Sequence, residues 1–103
     1  MASAGRVQDR KLIMAVLDLS KPTLAVGCKW GGTEEAPLVL FPEGAMRVQG
    51  TGRAILALCD GQRTFSDIVE ELKRQYFGAD PQRIRQDATA FLEQLHDKRI
   101  VDY

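Results

Sequence analysis

The sequence predicts an α+β domain, a winged-helix-like unit in which a three-stranded antiparallel sheet is followed by three helices. Three observations carry this. Short β-rich runs separated by breaker residues fill residues 24–49. Two apolar series at helical spacing follow, Phe65-Ile68-Val69-Leu72-Tyr76 and Ile84-Ala88-Phe91-Leu92-Leu95. A chain of 103 residues suffices for one small domain and not two.

Taken in order, residues 1–20 read as an N-terminal extension, small and polar at first and partly flexible. Within it, residues 11–19 are apolar enough to be ordered but match neither strand nor helix period. They suit a strand, a helical turn or an arm packed on a partner, ended by Pro22. The domain proper is expected over 21–103. Leu24–Trp30 reads as the first strand, and Gly31-Gly32-Thr33-Glu34-Glu35 as a loop. Pro37–Phe41 reads as the second strand. Pro42-Glu43-Gly44 turns the chain, because Pro suits the second position of a tight turn and Gly tolerates positive φ. Ala45–Gln49 is the third strand.

The first helix is expected from an N-cap at Thr51 to a stop at Asp60-Gly61, with Ala54, Ile55, Leu58 and Cys59 inward. The second opens on Thr64-Phe65-Ser66-Asp67, a capping box with Asp in place of Glu, and ends at Gly78. The third opens with Asp80 as N-cap and Pro81 at the first helical position and stops near Lys98. Ile100-Val101 is apolar enough to dock back on the core.

Charge narrows the function classes. Fourteen basic and fourteen acidic residues give a formal net charge of zero, divided as +3, −2 and −1 over residues 1–30, 31–60 and 61–103. This speaks against bulk attraction to nucleic acid or to membranes, which needs a basic excess. Helix three mixes Arg83, Arg85, Lys98 and Arg99 with Asp87, Glu93 and Asp97, so it offers no unopposed phosphate-binding stripe. No run reaches the ~18 apolar residues of a membrane span; the longest candidate, Leu12–Leu17, is bracketed by Asp9 and Asp18. With no cleavage pattern and two lone cysteines, Cys28 and Cys59, the expected setting is cytoplasmic and the thiols are expected free.

The parts of an enzyme are missing. His96 is the single histidine, so neither a nucleophile–base pair nor a metal ligand set stands out, and no cofactor is expected. Glu70-Glu71 lies on the polar face of helix two. Gly50-Thr51-Gly52 precedes a helix without the Lys of a phosphate loop.

A sheet of three short strands leaves open edges, and an open edge offers unpaired N–H and C=O groups to an added strand. Strand three is the candidate: Met46 and Val48 alternate with Arg47 and Gln49, so one side packs while the other meets solvent. An edge donor is expected at Val48. The competing readings are that the N-terminal arm covers this strand, or that it joins a second copy in a homodimer.

The stretch Leu38–Tyr76 resembles the PqqD family of pyrroloquinoline quinone biosynthesis. The resemblance runs through Leu38–Gln49 with its Pro-Glu-Gly turn, Ile55–Gly61 with its Asp-Gly end, Ile68–Tyr76 and Asp87–Leu95. Pro22, Gly27 and Trp30 resemble the family's first-strand region. Val48-Gln49-Gly50 stands where the family pattern has a Leu-Asn-like pair.

The resemblance implies a non-catalytic peptide chaperone, a recognition element for ribosomally made and modified peptides. It would hold a PqqA-like precursor and present it to a PqqE-like radical S-adenosylmethionine enzyme. It implies an added strand on Ala45, Met46, Arg47, Val48 and Gln49, walled by Arg83, Ile84, Asp87, Ala88, Phe91 and Leu95 of the last helix; by charge alone, Arg83 and Arg85 are expected to pair with acidic precursor residues. The alternatives are a recognition element of a sister modified-peptide pathway and a winged-helix DNA-binding regulator. The chain is expected to be a monomer or a swapped homodimer.

Overall fold

The order of apolar and polar positions in Pro37–Phe41 sets the sheet. Pro37 and Val39 are buried while the alternate residues Leu38 and Leu40 are only half-buried, the alternation of a strand with one face on a core. The structure, a computed structural model, describes residues 15–103. Its elements are β1 (Thr23–Leu24), β2 (Lys29–Gly32), β3 (Pro37–Phe41), β4 (Gly44–Arg47), α1 (Gly50–Ala57), α2 (Phe65–Gln75), α3 (Pro81–Asp97) and β5 (Val101–Asp102). Strands β2, β3 and β4 form the antiparallel meander, paired Trp30 to Val39 to Met46 across its width. Phe41 pairs with Gly44, so Pro42 and Glu43 alone make the turn and Gly44 is already in β4.

The sheet differs from expectation at both ends. Leu24–Trp30 is not one strand. Its first part, β1, pairs with β5 in a separate two-stranded sheet. A turn with Cys28 N–H donating to Ala25 C=O at 3.0 Å then redirects the chain into β2. Gly31 and Gly32 belong to β2, and the loop is confined to residues 33–36. The ending Ile100-Val101 does dock on the core, through β5. Sequence reading passed over β1 and β5 because a two-residue strand is stabilised only by a distant partner.

The first helix begins two residues early. Gln49 is its N-cap, without a side-chain cap, and Thr51 lies inside the first turn. The helix ends at Ala57 with Leu58 as C-cap, before Asp60-Gly61. There the Asp60 carboxylate accepts from the backbone N–H groups of Gln62 and Arg63, which together with the Arg63 guanidinium hold its pKa below the usual carboxylate value.

Helix α2 has all three of its first N–H groups satisfied, which is why it starts where it does. Thr64 Oγ1 accepts from Asp67 N–H at 3.1 Å while Asp67 accepts from Thr64 N–H, the reciprocal pair expected from sequence. The other two N–H groups are met by the segment before Pro22. Phe65 N–H donates to Ser20 C=O at 2.7 Å, and Ser66 N–H to Asp18 C=O at 3.0 Å. Residues 16–20, assigned by sequence to the extension, therefore pack on this domain. Val16 is buried, and its N–H donates to Glu93 on α3. The part of that extension before residue 15 lies outside the described residues. Thr64→Ala is expected to cost about 1 kcal/mol of stability, read as a lowered urea midpoint with unchanged slope; no change would mean that the strap suffices as a cap.

Helix α3 begins at Pro81, with Asp80 accepting from Gln82 N–H at 3.0 Å. The core lies between the inner face of the sheet and the helices. Val39, Phe65, Ile68, Leu72, Ala88 and Leu92 are essentially inaccessible. Cys28 and Cys59 are both free thiols. Burial, with the nearby Asp60 charge, pushes the Cys59 thiol up to about 12, so it stays protonated at neutral pH.

Candidate functional site

The edge of β4 follows from the ladder. In an antiparallel pair, hydrogen-bonded positions alternate with non-bonded ones. Val48 N–H donates to Pro37 C=O at 3.2 Å, which marks that position as bonded to β3. Counting back along the register, Met46 and Gly44 also face β3, while the N–H and C=O groups of Ala45 and Arg47 point away from it. Among the described residues no strand pairs with this side of β4. The free edge is therefore Ala45 and Arg47. The expectation of an edge donor at Val48 is corrected: its N–H is used inside the sheet and its side chain is 2% exposed. Gln49 is exposed, but its C=O already accepts from Arg53 N–H at the start of α1.

Just past this edge, where β4 hands the chain to α1, a groove of about 350 Å³ runs between α1 and α3. Thr51, Gly52 and Ile55 form one side and Asp87, Ala90, Phe91 and Gln94 the other. Gly52 makes the close approach there. A Cβ at that position would lie 3.1 Å from Cε1 and 3.2 Å from Cζ of Phe91, so a side chain there would need the ring to give by a few tenths of an ångström. The groove is apolar at its base, with Asp87 and Gln94 as polar groups on its α3 side.

The residues named from sequence divide into three groups. Ala45, Arg47 and Gln49 are exposed and Met46 is half-buried against the core. Asp87 and Phe91 line the groove, and Ile84 is half-buried on the same side of α3. Val48, Ala88 and Leu95 are core residues, the last two 0% and 2% exposed, so they support the surface from beneath and do not line it.

The two arginines already have partners. Arg83 Nε reaches the Asp87 carboxylate at 3.4 Å, an exposed pair on one helix face. Arg85 is paired with Asp18 of the N-terminal strap, and its guanidinium stands 5.2 Å over the Phe65 ring. At about 100° per residue, Arg85 lies on the side of α3 away from Phe91 and Gln94. It is thus tied up in holding the strap. Sequence reading missed Thr51, Gly52, Ile55, Ala90 and Gln94. Gly52 was the available signal: a helix-forming stretch holding a glycine that no cap requires marks a close contact.

No catalytic constellation accompanies this edge and groove. His96 stacks on Tyr103 with ring centroids 4.4 Å apart. Among the described residues no group of three or more His, Cys, Asp or Glu side chains could hold a metal ion, and no helix is long and apolar enough to cross a membrane.

Comparison with known proteins matches this architecture to a family. Residues 38–101 match Coenzyme PQQ synthesis protein D, PqqD. The chain belongs to the PqqD family. The matched span opens in β3, takes in β4 and all three helices, and closes in β5, so it contains both the free edge and the groove. A relative named PqqA binding protein, from Methylococcus capsulatus, is 37% identical over 65 residues, covering 63% of this chain and 67% of that protein. Another PqqA binding protein, from Rhodopseudomonas palustris, is 33% identical over 87 residues, covering 82% and 84%.

The solution structure of the PqqD part of Methylobacterium extorquens PqqCD superposes with a TM-score of 0.70 at 30% identity, covering 86% of this chain and 96% of that one. It is described as a functional, stand-alone recognition element for ribosomally synthesised and post-translationally modified peptides. The PqqD-family fold found here, a small antiparallel sheet with three helices, is the one predicted from sequence. As a PqqD-family member the chain is non-catalytic.

Proposed function

We propose that this protein is a peptide-binding component of pyrroloquinoline quinone biosynthesis that takes a PqqA-like precursor as an added strand on β4. It then presents that precursor to a PqqE-like radical S-adenosylmethionine enzyme. The observation that carries this reading is the free edge at Ala45 and Arg47 beside the α1–α3 groove. The names of the relatives, PqqA binding proteins, support the choice of ligand.

In this mechanism Ala45 and Arg47 exchange main-chain hydrogen bonds with the extended precursor, which gives affinity without regard to sequence. Side chains from one face of the precursor strand enter the groove against Phe91 and Ile55, which sets register. Met46 and Ile84 extend the apolar contact, while Val48, Ala88 and Leu95 keep β4 and α3 at their spacing. Arg83 can turn from Asp87 to an acidic precursor residue at little cost, because an exposed ion pair is worth only about 0–1 kcal/mol. Ordering a flexible peptide limits the net affinity. A cytoplasmic setting is part of the proposal, in keeping with the free thiols of Cys28 and Cys59.

The test is an amide NMR titration with a synthetic PqqA-like precursor. Shifts concentrated in residues 45–49 and 87–94 are expected. Shifts confined to α2, or a response to duplex DNA and none to peptide, would overturn the reading.

A further inference from the structure

The sheet has two free edges, and the second lies along β2. The turn at its end fixes the parity. Thr33 N–H donates to Ala36 C=O at 3.3 Å and Ala36 N–H to Thr33 C=O at 3.2 Å. Counting back along the register, Gly31 and Lys29 bond to Leu38 and Leu40 of β3, so the N–H and C=O groups of Trp30 and Gly32 point away from the sheet. Among the described residues no strand pairs with this side of β2, and no turn or loop bond uses these groups. Unpaired edge groups invite another strand.

The side chains give this edge a shape. Trp30 lies in the row Trp30–Val39–Met46, the core side of the sheet, yet it is 39% exposed and stands outside the core cluster. Gly32, next on the same side of β2, carries no side chain. Between them and α1 lies a cleft of about 410 Å³, lined by Trp30, Gly32, Thr33, Pro37, Arg53 and Ala57. Arg53 and Ala57 are exposed, and Arg53 belongs to none of the ion pairs among the described residues. A large exposed aromatic beside an open cleft is the usual anchor of an interface.

We infer that β2 pairs antiparallel with β2 of a second copy of this chain, and that the cleft holds Trp30 of the partner subunit. The edge is self-complementary about a twofold axis at Gly31. In that register Trp30 stands opposite Gly32 of the partner subunit, and its N–H and C=O exchange bonds with that glycine's C=O and N–H. The axis repeats the exchange, so every free group on the edge finds a partner. Gly31 meets its own copy in the non-bonded pairing, where Cα atoms approach to about 4.5 Å, and two glycines admit that approach.

The register also places the rings. Directly opposed residues share a face of the sheet. Each indole therefore lies over Gly32 of the other copy, where a side chain would block it, and enters the cleft against the Arg53 guanidinium. The two indoles are diagonal neighbours, a spacing that aromatic rings bridge. Lys29 falls opposite Thr33 of the partner subunit, so no like charges are brought together. A foreign strand would meet the same main-chain groups without this match of ring to cleft. The pairing makes one continuous sheet with β4 outermost at both ends, so it leaves Ala45 and Arg47 free in each copy and does not depend on what binds there.

The test is sedimentation velocity of the full chain over a dilution series, with fluorescence recorded alongside, since Trp30 is the single tryptophan. A reversible dimer is expected, with emission that moves to longer wavelength as dilution frees the indole. Trp30→Ala removes the ring and Ala57→Arg fills the cleft; each is expected to weaken the dimer by at least about tenfold, and Trp30→Phe to weaken it less. Neither position belongs to the core cluster, so both variants are expected to melt with the wild type. A chain that stays monomeric at millimolar concentration overturns the inference. So does a dimer that either variant leaves undiminished. A dimer that a synthetic PqqA-like precursor dissolves is paired through β4 and overturns it as well.

Discussion

Arg47→Pro is expected to weaken binding of a PqqA-like precursor by at least about tenfold, a loss of ~1.4 kcal/mol or more, while the fold survives. Proline removes the Arg47 N–H, which points away from β3, and places its ring where an added strand would lie. An edge strand tolerates proline when the lost N–H faced solvent. Arg47→Gln is the control, since it removes the charge and keeps the main-chain donor. Calorimetry that finds Arg47→Pro no weaker than Arg47→Gln would show that the precursor does not pair with this edge. Val48→Pro is the wrong probe. It would break the bond to Pro37 C=O and disturb a side chain that is 2% exposed, so lost binding would report lost structure.

Leu92→Ala has the largest expected effect on stability. Leu92 is 0% exposed in the core shared by α3, α2 and the sheet. Truncating such a leucine removes its transfer free energy and leaves a cavity, together about 2–5 kcal/mol. For a domain of this size each kcal/mol lowers the melting temperature by roughly 4–8 °C. A native stability of about 5–15 kcal/mol makes this a large fraction of the whole. Leu92→Met, which conserves volume, should cost less than about 1.5 kcal/mol. A Leu92→Ala variant that melts within a few degrees of wild type would mean that the helices close over the gap. Because α3 carries Asp87 and Phe91, weakened precursor binding is expected to accompany this loss and to be relieved in Leu92→Met.

The helices were legible because their signals are local. The capping pair Thr64 and Asp67, Pro81 after Asp80, and the apolar series of α2 and α3 all lie within one helix each. The β2–β3–β4 meander was legible for the same reason, its turns being short and marked by Pro and Gly. The strap at residues 16–20 was not. Its ordering comes from carbonyls that cap α2 and from a carboxylate that pairs with Arg85, partners tens of residues away. The site fell between these cases. Strand Ala45–Gln49 and the face of α3 were the regions named from sequence. Which atoms they present depended on hydrogen-bond parity, which assigned Val48 to the interior and Arg47 to the edge.

The sequence by itself determined the α+β fold class, with a short strand between a tight turn and a helix. Composition and near-neighbour spacing carry that much, because capping, turns and amphipathic faces act over a few residues. Only the tertiary structure decided that β4 is an edge unpaired among the described residues, that Gly52 and Phe91 shape a groove between the helices that follow, and that Leu38 and Leu40 stand on an outer face. The physical reason is that an edge, a groove and a face are relations between segments distant in the chain. They exist only once packing has chosen which backbone groups are already paired and which remain for a partner.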